Sequence, residues 1–293
     1  MRVADGATRA GLTLMRALAC LPAAWLAGFG QVLGMLLWAL GHERRRVAAT
    51  NLALCFPELD RGTRARRVRA HFRAFGRAFL DHALAWWASP ARLRRLVEVT
   101  GLEHLMAEPT RPTLLLVPHF VGLDMGWARL GLERRMVSVY SRQKNPVFDA
   151  ALLAGRSRFG EPVLISRQQG LRPALRAMAE GLPFYYLPDL DFGARDALFV
   201  PFFGVAAATV SALPRIARAS GARVLPVLVH MLPCGRYRVR IEPPWTDFPG
   251  PDVAADVARM NRFIETAVRA CPEQYLWTHK RFKTRPPGEK PVY

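Results

Sequence analysis

Between Ala17 and Leu40 the chain carries no charged residue. The stretch reads ALACLPAAWLAGFGQVLGMLLWAL, and Gln31 is its one strongly polar side chain. A helix that is apolar all round belongs in a protein core or in a membrane. This run is longer than the ~20 residues needed to cross a bilayer. Gly28, Gly30 and Gly34 suit a membrane helix better than a soluble one, and Trp25 and Trp38 suit an interface. A secretory signal is the competing reading, but the run is too long and no small-x-small cleavage site follows. A buried core helix is the plain alternative. Arg2, Arg9 and Arg16 precede the run and Arg44, Arg45 and Arg46 follow it. Flanking charge therefore does not decide orientation, and both flanks suit anionic headgroups.

The remaining sequence is long enough for an ample core, since the chain has 293 residues of which 51% are apolar. Its formal net charge is +19. Lysine occurs only at 144, 280, 283 and 290, so arginine supplies nearly all of the basic charge. Such an excess predicts an anionic partner: a phospholipid surface, an acidic protein or a phosphorylated substrate. No nucleic-acid-binding signature accompanies it. Cys20, Cys55, Cys234 and Cys271 form no CxxC pair and no metal-ligand spacing, and read as reduced thiols of a cytosol-facing protein.

Residues 60–87 predict a long basic amphipathic helix. Val68, Phe72, Phe75, Phe79 and Ala83 recur at threes and fours, with arginines filling the gaps. Its basic side reads either as a solvated face or as a surface for a membrane or carrier protein. Strands are then expected at 113–117, 136–140, 163–165, 184–187, 224–230 and 237–241, the last two joined around Cys234-Gly235. Helices are expected at 146–156, behind an Asn145 cap, and at 171–180, 211–220 and 252–270. Alternating strands and helices imply an α/β domain with a central mixed sheet flanked by helices, preceded by an N-terminal membrane helix. The expected division is an anchor over 1–42 and a catalytic domain over 43–293.

The stretch Val117-Pro118-His119-Phe120-Val121-Gly122-Leu123-Asp124 carries the most chemistry. It places a histidine at the end of a buried strand, where catalytic groups of α/β sheets collect. Neutral imidazole can take a proton from an alcohol near pH 7. A carboxylate on its other nitrogen fixes the tautomer. Asp124 is expected to supply that carboxylate if the backbone bends at Gly122. A lone histidine at a strand end is more often structural, so spacing alone leaves both readings open.

His-x-x-x-x-Asp after an apolar strand resembles the glycerolipid acyltransferase signature, and its surroundings resemble the bacterial lipid A late acyltransferase branch. That branch usually has Glu where this chain has Asp124. Tyr140-Ser141-Arg142-Gln143-Lys144-Asn145-Pro146 is similar to a family block whose arginine falls on Ser141, one position before Arg142. Further resemblances lie in Arg156-Ser157-Arg158-Phe159-Gly160, in Pro188-Asp189-Leu190-Asp191 followed by Phe199 to Gly204, and in Tyr275 to Arg285.

The resemblance implies a glycerolipid-acyltransferase-like fold. It also implies transfer of a fatty acyl chain from acyl carrier protein, or coenzyme A, to a hydroxyl of a lipid A precursor at the cytoplasmic side of the inner membrane. His119 would be the base and Asp124 its orienting partner. Arg142, Arg156, Arg158, Asp189 and Asp191 would bind substrate, with no cofactor and no metal required. Anionic membrane lipids are the expected surface. Against this, Arg156 and Arg158 also read as a solvated helix end, and Asp189 and Asp191 as turn caps. Asp189-Leu190-Asp191 also has the form with which a membrane-associated glycosyltransferase holds a divalent metal. An acyltransferase acting on another lipid acceptor is the nearer alternative.

Overall fold

The computed structural model describes residues 2–293. In chain order the elements are α1 (Arg2–Leu18), α2 (Ala23–Leu40), α3 (His42–Cys55), α4 (Arg61–Trp87), α5 (Pro90–Leu96), β1 (Val97–Thr100), α6 (Leu102–Met106), β2 (Thr113–Leu116), α7 (Leu123–Gly131), β3 (Val137–Tyr140), α8 (Pro146–Arg156), β4 (Val163–Ser166), α9 (Arg172–Ala179), β5 (Phe184–Tyr186), β6 (Ala197–Phe202), β7 (Val205–Val210), α10 (Ala212–Ser220), β8 (Arg223–Met231), β9 (Tyr237–Ile241) and α11 (Val253–Ala270).

The apolar run is not one helix. Pro22, which lacks a backbone N–H, precedes α2, and the chain turns between α1 and α2. Arg92 of α5 caps that turn by donating to the carbonyls of Ala19 and Leu21. Helix α2 alone is long and apolar enough to cross a membrane among the described residues, and 28% of it is buried. It packs along α4, and the two run antiparallel. A Cβ on Gly34 would lie 2.1 Å from the Phe72 carbonyl oxygen, and one on Gly76 would lie 2.3 Å from the Gly34 nitrogen. Only glycine permits backbones to approach this closely. The stretch expected to form a separate anchor therefore shares a core with the rest: Met15, Ala19, Ala23 and Leu26 join Leu84, Trp86 and Tyr237 in one apolar cluster.

The seven-stranded sheet has the order β1-β9-β8-β2-β5-β3-β4. Every pair is parallel except β8–β9, the hairpin expected around Cys234-Gly235. The α/β class and the expected strands are therefore observed. The short edge strand β1 and the separate β6–β7 hairpin were not expected. Asn145 caps α8, its side chain accepting from the backbone N–H of Val147 and Phe148. Asp60 caps α4 and Asp252 caps α11 in the same manner. In α4 Val68, Phe72 and Ala83 are buried as the pattern predicts, whereas Phe79 is exposed. Arg77, expected on the basic face, is buried instead. It pairs with Asp81 at 3.1 Å and donates to the carbonyls of Leu232 and Arg236, tying α4 to the β8–β9 turn.

Candidate active site

Strands β2 and β5 are parallel neighbours, with Leu116 opposite Tyr186. The pairing extends one step further, the Val117 N–H donating to the Tyr186 carbonyl at 2.9 Å. Three residues beyond each strand end stand His119 and Asp189, and equal offsets from a shared register bring them face to face. The His119 backbone N–H donates to Asp189 Oδ2 at 2.9 Å, and the ring Nδ1–H donates to Oδ1 at 2.6 Å. Both carboxylate oxygens thus bond to His119, and the buried Tyr275 hydroxyl lies beside the same carboxylate. Burial alone would raise the Asp189 carboxyl, but the His119 ring and its hydrogen bonds outweigh it and hold the group below its ordinary value. A carboxylate on Nδ1 fixes the tautomer that leaves a lone pair on Nε2. Nε2 has no hydrogen-bond partner among the described residues, and His119 lines a cavity of about 1000 Å³.

The expected contact between His119 and Asp124 is not formed. Asp124 lies in the first turn of α7 and meets charge from two other helices. Arg156 at the end of α8 holds Oδ1 through Nε at 2.8 Å and Nη2 at 2.7 Å. His82 of α4 meets Oδ2 through Nε2 at 3.2 Å. Burial opposes ionisation of Asp124, but these two cations overcome it and hold the carboxyl far below the usual range. His82 is shifted the other way: burial would lower it, and the bond to Asp124 raises it overall. With Asp189 already on Nδ1, nothing draws the His119 ring toward Asp124. Both Asp124 and Arg156 still line the cavity.

The other expected binding residues are dispersed. Arg158 donates to the carbonyls of Ala85 and Ala88, at 3.2 and 3.0 Å, and so closes the end of α4. Arg142 is exposed and does not line the cavity, although Ser141 and Gln143 beside it do. Asp191 accepts from the Thr284 N–H at 2.7 Å, the Thr284 hydroxyl at 2.8 Å and the Gly193 N–H at 2.9 Å. Asp189 and Asp191 are therefore each satisfied by separate donors and do not converge as a pair. The cavity's remaining cations are Arg167, Arg195 and Arg215, none of which sequence reasoning singled out. Arg167 stacks on Phe192, Arg195 has only the exposed Asp196 at 3.9 Å, and Arg215 has no acidic partner among the described residues.

The C-terminal segment clamps the turn that carries His119. The Leu276 N–H donates to the His119 carbonyl at 3.0 Å, and the Val121 N–H donates to the Gln274 carbonyl at 2.8 Å. His279 accepts from the Asp191 N–H at 3.1 Å, and burial together with the nearby His119 and Arg281 lowers it to about 4. Arg281 is buried and donates to the Ala208 carbonyl and the Thr209 hydroxyl. Trp277 and Phe282 are core residues.

Residues 4–284 match the profile of the bacterial lipid A biosynthesis acyltransferase family. The chain is 34% identical over 260 residues to the lipid A biosynthesis lauroyltransferase of Escherichia coli (strain K12), covering 87% of this chain and 84% of that one. It is 32% identical over 277 residues to the palmitoleoyltransferase of the same organism, covering 93% and 90%. It is 33% identical over 265 residues to the myristoyltransferase, covering 89% and 82%.

Proposed function

The chain belongs to the bacterial lipid A biosynthesis acyltransferase family, and on that footing we propose that it moves a fatty acyl group from acyl carrier protein to a hydroxyl of a lipid A precursor, with His119 as the base. The observation that carries this reading is the His119–Asp189 pair, which leaves Nε2 unpartnered on the wall of the large cavity. No serine or cysteine hydrogen-bonds His119 among the described residues, so the attacking hydroxyl is the acceptor's own. His119 Nε2 takes the hydroxyl proton as the acceptor oxygen attacks the thioester carbonyl. The tetrahedral intermediate expels the carrier thiolate, and the proton on Nε2 passes to it. Asp189 replaces Asp124 as the carboxylate that orients the ring and stabilises the imidazolium.

Asp124 then acts through Arg156. It fixes the guanidinium on the cavity wall and leaves Nη1 without a protein partner, available to the developing oxyanion. Holding the substrate's phosphate oxygens falls to Arg167, Arg195 and Arg215, whose guanidinium donors no buried carboxylate consumes. The acyl chain lies along the apolar lining, where Trp127, Val139, Leu152 and Leu164 face the same cavity. The exposed apolar side of α2 and the net positive charge support a seat on the cytoplasmic face of the inner membrane, where both the acceptor and the acidic carrier protein are met.

The test uses the purified full chain in detergent, carrier protein loaded with labelled laurate or myristate, a tetra-acylated lipid A precursor, and EDTA. Labelled penta-acyl product is expected from the wild type, and about 10⁴-fold less from His119→Ala. Equal product from the two proteins rejects His119 as the base. Product from neither, across carrier-protein and coenzyme A donors, rejects the reaction.

A further inference from the structure

Helix α2 is apolar on its outer side as well as its inner. Ala23, Leu26, Ala27, Gly30 and Gly34 are buried toward α4. Trp25, Phe29, Val32, Leu36 and Leu40, spaced by threes and fours, are 63, 48, 62, 55 and 78% exposed. At the C-terminal end of α2, on another side of the helix from that stripe, a small cavity of about 330 Å³ lies between α2, α3 and α4, lined by Trp38, His42, Arg45, Arg46 and Arg69 among others, and by no acidic residue. The Arg45 and Arg69 guanidinium groups each lie 5.1 Å from the centre of the Trp38 ring. Arg45 is further fixed by donating to the Trp38 carbonyl at 2.9 Å and by meeting His42 Nδ1 at 2.8 Å. Arg46 and Arg69 have no hydrogen bond or ion pair among the described residues. Glu43, the acid nearest in sequence, is exposed and taken up by Lys280 at 3.0 Å.

We propose that the cavity bounded by Trp38, Arg45, Arg46 and Arg69 binds the phosphate headgroup of an anionic phospholipid of the bilayer in which the outer face of α2 is immersed. An exposed apolar face and a carboxylate-free basic cavity on one helix match a lipid surface, which offers acyl chains and phosphate together. An aromatic ring at this boundary matches the depth at which Trp resides in bilayers. Stacking on Trp38 orders two of the guanidinium groups before any ligand arrives, which lowers the ordering cost of binding. Helix α2 accordingly lies against the membrane without crossing it. Crossing would carry α4, with Arg73 and Arg77, and the β8–β9 turn into hydrocarbon, because α2 is packed against both. The inference does not depend on the reaction proposed above.

The experiment measures binding of the intact protein to vesicles of phosphatidylcholine with and without phosphatidylglycerol. R46A/R69A is compared with R176A/R262A, which removes the same charge from exposed positions on α9 and α11. R46A/R69A is expected to lower affinity for the phosphatidylglycerol vesicles about tenfold or more, and R176A/R262A about twofold or less, because charges beyond a Debye length of the surface contribute little. Binding to pure phosphatidylcholine should be the same for all three proteins. Equal losses in the two variants, or no loss in R46A/R69A, overturn the proposal. So does release by inorganic phosphate beyond that caused by chloride at equal ionic strength, which would mark a site for free anions. Thermal melting of each variant in detergent is measured alongside. If R46A/R69A melts lower than wild type, R46Q/R69Q is used in its place, and a loss of about tenfold or more on phosphatidylglycerol vesicles with unchanged binding to pure phosphatidylcholine supports the proposal, while a loss no greater than that of R176A/R262A overturns it.

Discussion

Two imidazole–carboxylate pairs stand about the same cavity, and they are opposites. In the first, Asp189 gives both oxygens to His119 and receives no other cation's side chain. In the second, Asp124 is taken up by Arg156 before His82 reaches it, and His82 Nδ1 is fixed on the Ala78 carbonyl at 2.9 Å. The first pair keeps one lone pair unspent. The second has no basic atom left over, because Arg156 and His82 are both turned onto Asp124. Chemical competence therefore resides in what a cluster leaves unsatisfied, and the same two residue types can form a base in one setting and a brace in the other.

Breaking each pair should separate these roles. Asp189→Asn is expected to lower kcat by about 10³–10⁴-fold, because an amide no longer selects the Nδ1–H tautomer. Asp124→Asn is expected to lower kcat by about 10²-fold and also to lower the melting temperature, since it strands Arg156 beside His82. Steady-state kinetics and thermal melting of both variants decide the matter, and the comparison fails if Asp124→Asn proves the more damaging to kcat while melting like the wild type. A smaller effect is expected at the third cationic group. Arg215→Ala should raise KM for a phosphorylated acceptor about tenfold while leaving KM for its dephosphorylated analogue unchanged, as loss of one charge-assisted contact implies. Equal KM changes for both acceptors would show that Arg215 does not read phosphate.

The smallest effect concerns pH. The folded value of His82 is raised above its unfolded value, so the stability from its bond to Asp124 is fully present below the unfolded value, near pH 6.5. It is lost as pH rises through the folded value. Melting temperature should therefore decline over that window in the wild type, and His82→Gln should flatten the decline. An unchanged slope in the variant would remove His82 from the account.

The sequence pattern revealed the sheet strands, the capped helices and His119 because each leaves a local trace: an apolar run, a cap residue, a histidine at a strand end. It did not reveal the partner of His119. Asp124 is five residues away and looked sufficient, whereas Asp189 is seventy residues away and becomes a neighbour only through the Leu116–Tyr186 register. His82 lay unnoticed on an amphipathic helix for the same reason. The arginines at 156 and 158 looked alike, and only packing separates one that lines the cavity from one that ties down carbonyls. Pro22 breaks the apolar run because it lacks an N–H, a local effect that hydropathy alone does not register.

On the membrane seat proposed above, the glycine contact between α2 and α4 would make the enzyme a float with a fixed draught. Because Gly34 and Gly76 interlock backbone to backbone, α2 cannot rise or sink without taking α4 along. Helix α4 carries His82, and helix α1, whose Thr8 hydroxyl accepts from Asn145 at 3.0 Å, touches the start of α8. With α2 seated on a membrane as proposed, the level set by its outer face would be passed mechanically to the helices around the candidate cavity. A lipid acceptor anchored by its own chains would meet the base at one constant height above the bilayer, with no moving part needed to bring them level.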